Sequence, residues 1–469
     1  LLIEHPVDAE VLFLSSNKDT NMLNRISRLL VGSLFIVSGL IKANDPIGFS
    51  YKMNDYFAPG VLNMPWADAW ALELSVLVCV AEIVLGVAVL FGARMRLAGW
   101  SLLILMVFFT FLTGYTAIAN WLFDNPEAGI TGAMEGLFGF AIREDYSYMK
   151  DCGCFGDAIK LNPWESFVKD LVLLVFTLVI FKHRNTTKPS ELRTDLVNLG
   201  ISLLLISGFA LGMLGWSFPI WFSLVTFGVL LGIKQFMTHA NRDWIMAAGA
   251  TLISFGFSYY CIEHLPVKDF RPYKIGNNIA ELKECPPDAP KDVYEDTWYY
   301  KVNGEVKSYT TEEEPWNIEG AEFVDRETEL IFKGCEPPIH DFVLEDFDGN
   351  GLTDDILAER FIFLAVSYDI KKANQDAQAA FNAVNDGAMN DPDGGPYMYG
   401  LAANSYEEVE PFRHDNQVTY DVLTGDATML KTIIRSNPGL ILLKEGTVIG
   451  KWHYNDVPSY DEIKSTLLK

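Results

Sequence analysis

Long apolar runs dominate the chain up to about Ile262 and then stop. A helix crosses the hydrocarbon core of a bilayer with roughly 20 apolar residues, and seven runs reach or approach that length. The pattern predicts an all-α membrane bundle of about seven transmembrane helices, with the short sixth run also compatible with a re-entrant or buried segment. The runs are Ser27 to Ala43, Ala71 to Gly92, Leu97 to Ala119, Ser166 to Phe181, Leu196 to Leu214, Ile220 to Ile233 and Trp244 to Cys261.

Basic residues cluster in every second connection between these runs. Cytoplasmic loops are enriched in Lys and Arg, so the clusters predict the orientation of the bundle. We expect a multi-pass protein of the inner membrane with a cytoplasmic N-terminus, and we expect everything after Cys261 to be periplasmic. The residues concerned are Arg25, Arg28, Arg94, Arg96, Lys182, Arg184, Lys188, Arg193, Lys234 and Arg242.

Beyond Cys261 the pattern becomes that of a water-soluble domain. Alternating Tyr and Val from Asp296 to Thr311, around Asn303-Gly304, predict a β-hairpin. From Pro337 onward strands and helices alternate and end in a hairpin, which predicts an α/β sandwich with a mixed sheet. The predicted elements are strands Phe361 to Val366, Met398 to Ala403, Val418 to Val422, Leu440 to Leu443 and Val448 to Trp452, and helices Ala373 to Val384, Tyr406 to Arg413 and Ala427 to Ile434.

These patterns divide the chain into five segments. Residues 1–21 lack the regions of a signal peptide and are interpreted as an extension, with Met22 the more natural start. Residues 22–185 form the main transmembrane domain with an outer cysteine loop, and residues 186–262 add further transmembrane helices. Residues 263–336 form an extracytoplasmic linker with the hairpin, and residues 337–469 form the α/β domain.

The distribution of charge excludes one class of partner. The chain is 50% hydrophobic and 21% charged, with a formal net charge of −25, and 40 acidic against 19 basic residues follow Ile262. Nucleic acid is bound by clustered Lys and Arg, so no nucleic-acid partner is expected. The acidity is that of a solvated surface, and the apolar helices make membrane lipid the expected surroundings of the bundle.

Two cysteines form the most informative local motif, Cys152-Gly153-Cys154. Glycine lets the backbone bend between them, and a disulfide between sulfurs so close in sequence is expected to be strained and labile. We therefore predict a redox-active, catalytic pair, with structural bonding elsewhere, for instance to Cys261, as the alternative. No metal site is predicted, since only Cys261 with His264 offers further ligands. The chain has six cysteines: Cys79, Cys152, Cys154, Cys261, Cys285 and Cys335.

Three further predictions follow from where residues lie relative to the predicted membrane spans. Glu82 lies near the middle of the second run, where an ionisable side chain is costly, so it is a candidate for a quinone headgroup or a proton path. A protonated glutamic acid bonded between helices is the alternative. Lys42 near a helix end is explained by snorkelling or pairing. Cys285 and Cys335 are predicted to form a structural disulfide, because the outer compartment is oxidising.

The N-terminal part resembles known membrane proteins. The helices from Val31 to Trp121, including GSLFIVSGLIK at 32–42 and EIVLG at 82–86, are similar to the DoxX family. Adding CGCFGD at 152–157 makes the first 185 or so residues more similar to the MauE branch. That resemblance implies help with disulfide formation in methylamine utilisation, and DoxX relatives imply a link to quinones. The overall layout is more similar to the DoxX-type proteins of Bacteroidetes.

The C-terminal part resembles the thioredoxin-like domains of membrane-tethered TlpA proteins. Pro338 to Leu344 followed by Asp348-Gly349 matches the lead-in, and Asn437-Pro438-Gly439 matches the cis-proline loop, which implies a cis peptide at Pro438 and a partner-binding role there. Residues 367–372 contain no cysteine, so no Cys-x-x-Cys chemistry is available in this domain.

Two hypotheses of function follow. In the first, the protein is a redox accessory for extracytoplasmic thiol–disulfide exchange. Cys152 and Cys154 would cycle in a loop folded back against the bundle, a quinone would be the electron carrier, and a periplasmic client would dock on the thioredoxin-like domain. In the second, the protein is a non-enzymatic scaffold with structural cysteines and an inert partner-binding domain. A transporter, supported only by Glu82, is a third interpretation.

Overall fold

The computed structural model describes residues 8–59, 61–125, 148–149, 151–237, 241–302 and 304–469. The chain divides into two compact units, Leu1–Arg271 and Pro272–Lys469. The first unit is helical, as the apolar runs predict. Its helices are α1 (Asp8–Asn44), α2 (Pro46–Phe57), α3 (Ala71–Phe91), α4 (Met95–Asp124), α5 (Pro163–Lys182), α6 (Leu192–Gly212), α7 (Phe218–Phe236) and α8 (Arg242–Glu263).

Six helices of the described chain are long and apolar enough to cross a membrane: α1, α3, α4, α6, α7 and α8. The expected number of seven was therefore approximate. The remaining long helix, α5, has 20 residues but carries Glu165, Lys169 and Asp170 among them, which lowers its apolar character. The six helices support a multi-pass membrane protein.

Small residues hold α1 and α3 at close range. A side chain at Gly86 would meet the backbone oxygen of Gly32 at 2.7 Å, and one at Gly39 would meet the side chain of Ile83 at 2.7 Å. Glycine is therefore required for this approach, as in other membrane helix pairs. Arg28 of α1 donates to the backbone oxygens of Val89 and Leu90, at 2.8 and 3.0 Å, and so adds hydrogen bonds to carbonyls in the last turn of α3.

Polar contacts join the later helices to α1. Ser33 and Ser202 share a hydrogen bond of 2.7 Å between α1 and α6, and Arg25 donates to Asn198 of α6 at 2.8 Å. Lys234 of α7 is paired with the buried carboxylate of Asp195 on α6. Because side-chain hydrogen bonds between helices help their association in lipid, these contacts make α6 and α7 part of one bundle with α1.

The second unit begins with a three-stranded antiparallel sheet of order β2-β1-β3, built from β1 (Val293–Val302), β2 (Glu305–Thr310) and β3 (Glu322–Phe332). The predicted hairpin corresponds to β1 and β2, which pair from Thr297 with Thr310 to Val302 with Glu305. Asn303 of its predicted turn lies outside the described residues. The sequence did not predict β3, because charged residues occupy its centre. Cys285 and Cys335, before and after this sheet, form a disulfide with their Cα atoms 6.1 Å apart.

A five-stranded mixed sheet of order β6-β5-β4-β7-β8 follows. The β4–β5 and β5–β6 pairs are parallel and the β4–β7 and β7–β8 pairs are antiparallel. The predicted order of strands and helices is confirmed, although α11 begins at Gln378 instead of Ala373. The elements are α9 (Ile279–Leu282), α10 (Thr353–Ala358), β4 (Ile362–Ser367), α11 (Gln378–Met389), β5 (Tyr397–Ala402), α12 (Tyr406–Asp415), β6 (Asp421–Thr424), α13 (Ala427–Ile433), β7 (Gly439–Lys444), β8 (Thr447–His453) and α14 (Tyr460–Leu467).

Part of the segment interpreted as a linker belongs to this second fold. The backbone N–H of Gly276 donates to the oxygen of Val448, and that of Ile279 donates to the oxygen of Gly446, both at 2.8 Å. Lys451 of β8 donates to the backbone oxygen of Tyr273 at 3.0 Å. The structure therefore places the start of the second unit at residue 272, well before the predicted boundary at 337.

Candidate functional site

A cavity of about 300 Å³ lies within the N-terminal unit, among α1 to α5 and the loop before α5. Most of its wall is apolar and aromatic. The sequence singled out Glu82, Cys152 and Cys154 separately, and the structure brings all three to this one cavity. Seven lining residues carry titratable groups: Lys42, Tyr56, Glu82, Cys152, Cys154, Lys169 and Asp170.

The cysteine loop takes a conformation that requires glycine between the thiols. Gly153 has a φ of +64°, in the left-handed region, and a side chain there would meet Cγ of Lys52 at 2.7 Å. Its N–H is bonded to the carboxylate of Asp151 at 3.1 Å, and Lys52 lies 3.5 Å from the same carboxylate. The loop is thus held from both sides, and Cys152 and Cys154 flank its bend.

The loop folds against the bundle, as predicted. Phe155 is buried in the helical core, with its ring centroid 5.7 Å from that of Phe209 on α6, and Ile159 packs partly against the same core. Trp164, near the start of α5, is 47% exposed. The hydroxyl of Tyr56 on α2 donates to the backbone oxygen of Cys152 at 3.3 Å. These contacts fix the position of both sulfurs relative to the cavity.

The two thiols have different surroundings, although both are free thiols in the structure. Cys152 is 6% exposed, and burial, followed by the neighbouring Cys154 thiolate, raises its pKa to about 12. Burial also raises the pKa of Cys154; the ammonium group of Lys169 opposes the rise and hydrogen-bonds to the sulfur, whereas the Asp170 carboxylate adds to the rise. Lys169 therefore favours the thiolate form of Cys154.

A buried ion pair forms the polar part of the wall contributed by α1 and α3. Lys42 Nζ lies 2.5 Å from Oε1 of Glu82 and 2.9 Å from Oγ of Ser38, and the side chains of the pair are 5% and 2% exposed. Oε2 of Glu82 is buried and has no hydrogen-bond partner among the described residues. Pairing, one of the two explanations offered for Lys42, is therefore correct, and snorkelling is wrong because the ammonium group is buried.

A second charged pair was not predicted. Lys169 Nζ lies 2.8 Å from Oδ1 of Asp170, and Oδ2 of that carboxylate accepts a hydrogen bond from Thr113 of α4 at 3.1 Å. The Lys169 ammonium group also lies 5.0 Å from the ring centroid of Phe155. The available signal was the presence of two ionisable residues within a run otherwise apolar enough to be read as a membrane span.

The second unit carries the remaining predicted site residue. The peptide bond between Asn437 and Pro438 is cis, as predicted. The oxygen of Asn437 accepts from the N–H of Asn374 at 2.9 Å, and its side-chain amide donates to the oxygen of Asp369 at 2.8 Å. The loop before β7 is thus bonded to the segment after β4, the place where the sequence has no cysteine.

Comparison with known proteins bears on the N-terminal helices. A family model described as "Methylamine utilisation protein MauE" matches residues 20–122. No curated protein matches the chain. Residues 20–122 are thus similar to the MauE family, and the six long apolar helices support a multi-pass membrane protein. The matched segment contains Lys42 and Glu82 but ends before Cys152, so the cysteine loop and α5 complete the cavity from outside it.

Proposed function

We propose that the protein is a membrane thiol–disulfide oxidoreductase in which Cys152 and Cys154 pass electrons from a client dithiol to a quinone in the cavity. The observation that carries the proposal is the cavity itself. It is lined by both cysteines and by the Lys42–Glu82 pair, and its wall is otherwise mostly apolar. A pocket of this type, with few convergent polar groups and titratable residues, is where a small amphipathic ligand is expected.

The lining suits a quinone ring. The ring is flat and apolar with two carbonyl oxygens that accept hydrogen bonds, and the cavity offers aromatic faces with the ammonium groups of Lys42 and Lys169 as donors. Lys42 lies 5.6 and 5.2 Å from the ring centroids of Phe49 and Phe109, so donor and aromatic wall are adjacent. When bound, a quinone supplies an acceptor for two electrons and two protons.

Oxidation of the client begins from the Cys152–Cys154 disulfide. A client thiolate attacks the sulfur of Cys152, the S–S bond breaks, and Cys154 leaves with the electron pair as a thiolate beside Lys169. This direction is favoured because Lys169 stabilises the departing Cys154 thiolate, and stabilising a thiolate makes it a better leaving group. The second client thiolate then attacks the client sulfur of the mixed disulfide and releases Cys152, which takes up a proton.

The resulting dithiol is reoxidised on the cavity side. The Cys152 thiol gives up its proton, the two sulfurs together lose two electrons, and their S–S bond forms again. A bound quinone would accept these two electrons with that proton and one further proton from solvent, giving one quinol, so the cycle balances. Glu82, whose Oε2 has no hydrogen-bond partner among the described residues, and Asp170 beside Cys154 are the carboxylates in position to hold these protons in transit.

The proposal extends to orientation and partner. The basic residues around α1 and between later helices favour a cytoplasmic N-terminus, and counting α5 as a seventh span makes the second unit periplasmic.

We assign that unit to a thioredoxin-like, TlpA-like fold, supported by its mixed sheet and by the cis bond at Pro438. Without Cys-x-x-Cys it binds the client instead of exchanging electrons. The DoxX-type resemblance and the MauE family description favour an extracytoplasmic client that needs disulfides, as in methylamine utilisation.

The test uses the purified full chain and a reduced dithiol substrate. We expect one quinol per pair of thiols oxidised, read from the ultraviolet absorbance of the quinone. Cys152→Ala and Cys154→Ala should each abolish turnover. When the client is supplied in its disulfide form instead, only Cys154→Ala should trap it as a mixed disulfide, because the Cys152 thiolate attacks the client disulfide, one client sulfur leaves as a thiolate, and Cys154 is absent to resolve the bond. The double variant should be inactive with an intact bundle, as judged by its thermal unfolding.

A non-enzymatic scaffold is the second candidate, favoured by the burial of Cys152 and by the lack of cysteine after β4. It would be supported if neither single variant traps a partner and the double variant behaves as wild type under oxidative and reductive challenge.

A further inference from the structure

A second apolar space lies next to the cavity. It is a cleft of about 310 Å³ between α1, α5 and α6. Leu34 of α1 and Leu173 of α5 line both spaces, so the cavity and the cleft share part of their walls. The cleft therefore adjoins the cavity, and α6, which does not line the cavity, forms part of its wall.

The cleft offers hydrocarbon contacts and almost no polar ones. Its one polar lining residue is Ser33, whose hydroxyl is already bonded to that of Ser202 at 2.7 Å. Leu30 and Leu205, on opposite walls, are 38% and 39% exposed, so the cleft opens at the surface of the bundle. None of the described residues that line the cleft offers a charged or free polar group, so a ligand held there should be an apolar chain.

We infer that this cleft binds the isoprenoid tail of a long-chain quinone whose ring lies in the cavity. The inference rests on the proposed function and adds the class of acceptor to it. A cavity of about 300 Å³ is at the small end of ligand sites, so the tail of a membrane quinone needs a separate apolar exit. The cleft shares its walls with the cavity and reaches the surface of the bundle, which selects the tail over an unrelated lipid chain.

The test compares binding of two quinones with the same ring, one carrying a long isoprenoid tail and one carrying none. Leu205→Trp narrows the cleft without touching the cavity. Leu204→Trp is the matched control, because Leu204 is the adjacent residue of α6, is 72% exposed and does not line the cleft. Purified full-length protein in detergent is equilibrated with each quinone, and bound quinone is quantified by its ultraviolet absorbance after rapid gel filtration.

We expect Leu205→Trp to weaken binding of the long-tailed quinone by about tenfold or more, since loss of two buried methylene contacts alone has that effect. The tail-less quinone should bind Leu205→Trp and wild type within about twofold, and Leu204→Trp should change neither affinity. If Leu205→Trp cannot be purified, a photoreactive group on the tail of the quinone should label α6 of the wild-type chain.

Equal affinity of the wild-type chain for both quinones would overturn the inference and leave the cleft to a lipid acyl chain. An equal loss of both quinones in Leu205→Trp, or tail labelling confined to other helices, would overturn it as well. In each of these cases binding of the tail-less quinone keeps the proposed function intact. Failure of wild type to bind either quinone would instead remove the acceptor and the tail site together.

Discussion

Replacing Lys169 tests the asymmetry between the two thiols. Lys169→Met keeps much of the side-chain volume and removes the ammonium group that hydrogen-bonds to Cys154. An opposite charge within hydrogen-bonding reach changes an ionisation constant by about 10- to 1000-fold. The thiolate fraction of Cys154 at a given pH should therefore fall by at least about tenfold. Cys152, whose pKa of about 12 is raised first by burial, already has a thiolate fraction of roughly 10⁻⁴ at pH 8 and should change little.

The assay is alkylation of the reduced protein at pH 8, with the rate at each cysteine read separately by mass spectrometry. In wild type Cys154 should react faster than Cys152, and Lys169→Met should slow Cys154 by about tenfold or more. Lys160→Met is the matched control, because Lys160 is an exposed lysine close to the same loop. An unchanged Cys154 rate in Lys169→Met, or an equal loss in Lys160→Met, would refute the proposed stabilisation of the thiolate.

Three further predictions concern the architecture of the site. Gly153→Ala should lower the melting temperature more than Gly156→Ala. Both positions have a positive φ, which costs a residue with a side chain about 1–2 kcal/mol, but only at position 153 would the new Cβ also clash with a neighbouring side chain. Lys42→Met should destabilise the protein by about 3–5 kcal/mol by leaving Glu82 buried and unpaired, and adding Glu82→Gln should recover most of the loss in thermal unfolding. The free energy of unfolding of the reduced wild type should fall as the pH rises from about 9 to about 12. Over that range the thiol of Cys152 ionises in the unfolded chain but keeps its proton when buried in the folded chain. Cys152→Ser should therefore lose less stability between the same two pH values.

The hydrophobic pattern by itself determined most of the secondary structure. Membrane helices need long apolar runs, so six of the seven predicted spans match helices that meet that requirement. The order of strands and helices in the second unit could also be predicted, because the alternation of apolar and polar residues and the presence of turn residues are local features of the sequence. The strand β3 was missed since its central charged residues hide the alternation, and α2 was missed because Pro46–Phe57 is too short and mixed for a membrane run.

The site was predictable only in pieces. The sequence alone identifies the Glu82 carboxylate, because burying an ionisable group in a membrane helix is energetically costly. It also identifies the flexible Cys-Gly-Cys motif, because that motif is unusual for its surroundings. Their meeting depends on how α1, α3 and α5 pack, and pairing of Lys42 with Glu82 depends on the close contact that Gly39 and Gly86 allow. No sequence spacing encodes those distances.

The tertiary structure alone decided what surrounds the sulfurs. In the sequence, Lys169 is an isolated charged residue within an apolar run. Its role follows only from the fold, which places it beside Cys154. The cleft toward α6 likewise has no sequence signal, because its lining is ordinary leucine and phenylalanine and only the space between the helices makes it a site. Composition and periodicity fix which residues avoid water, whereas packing fixes which of them face one another, and the chemistry of this cavity depends on the second.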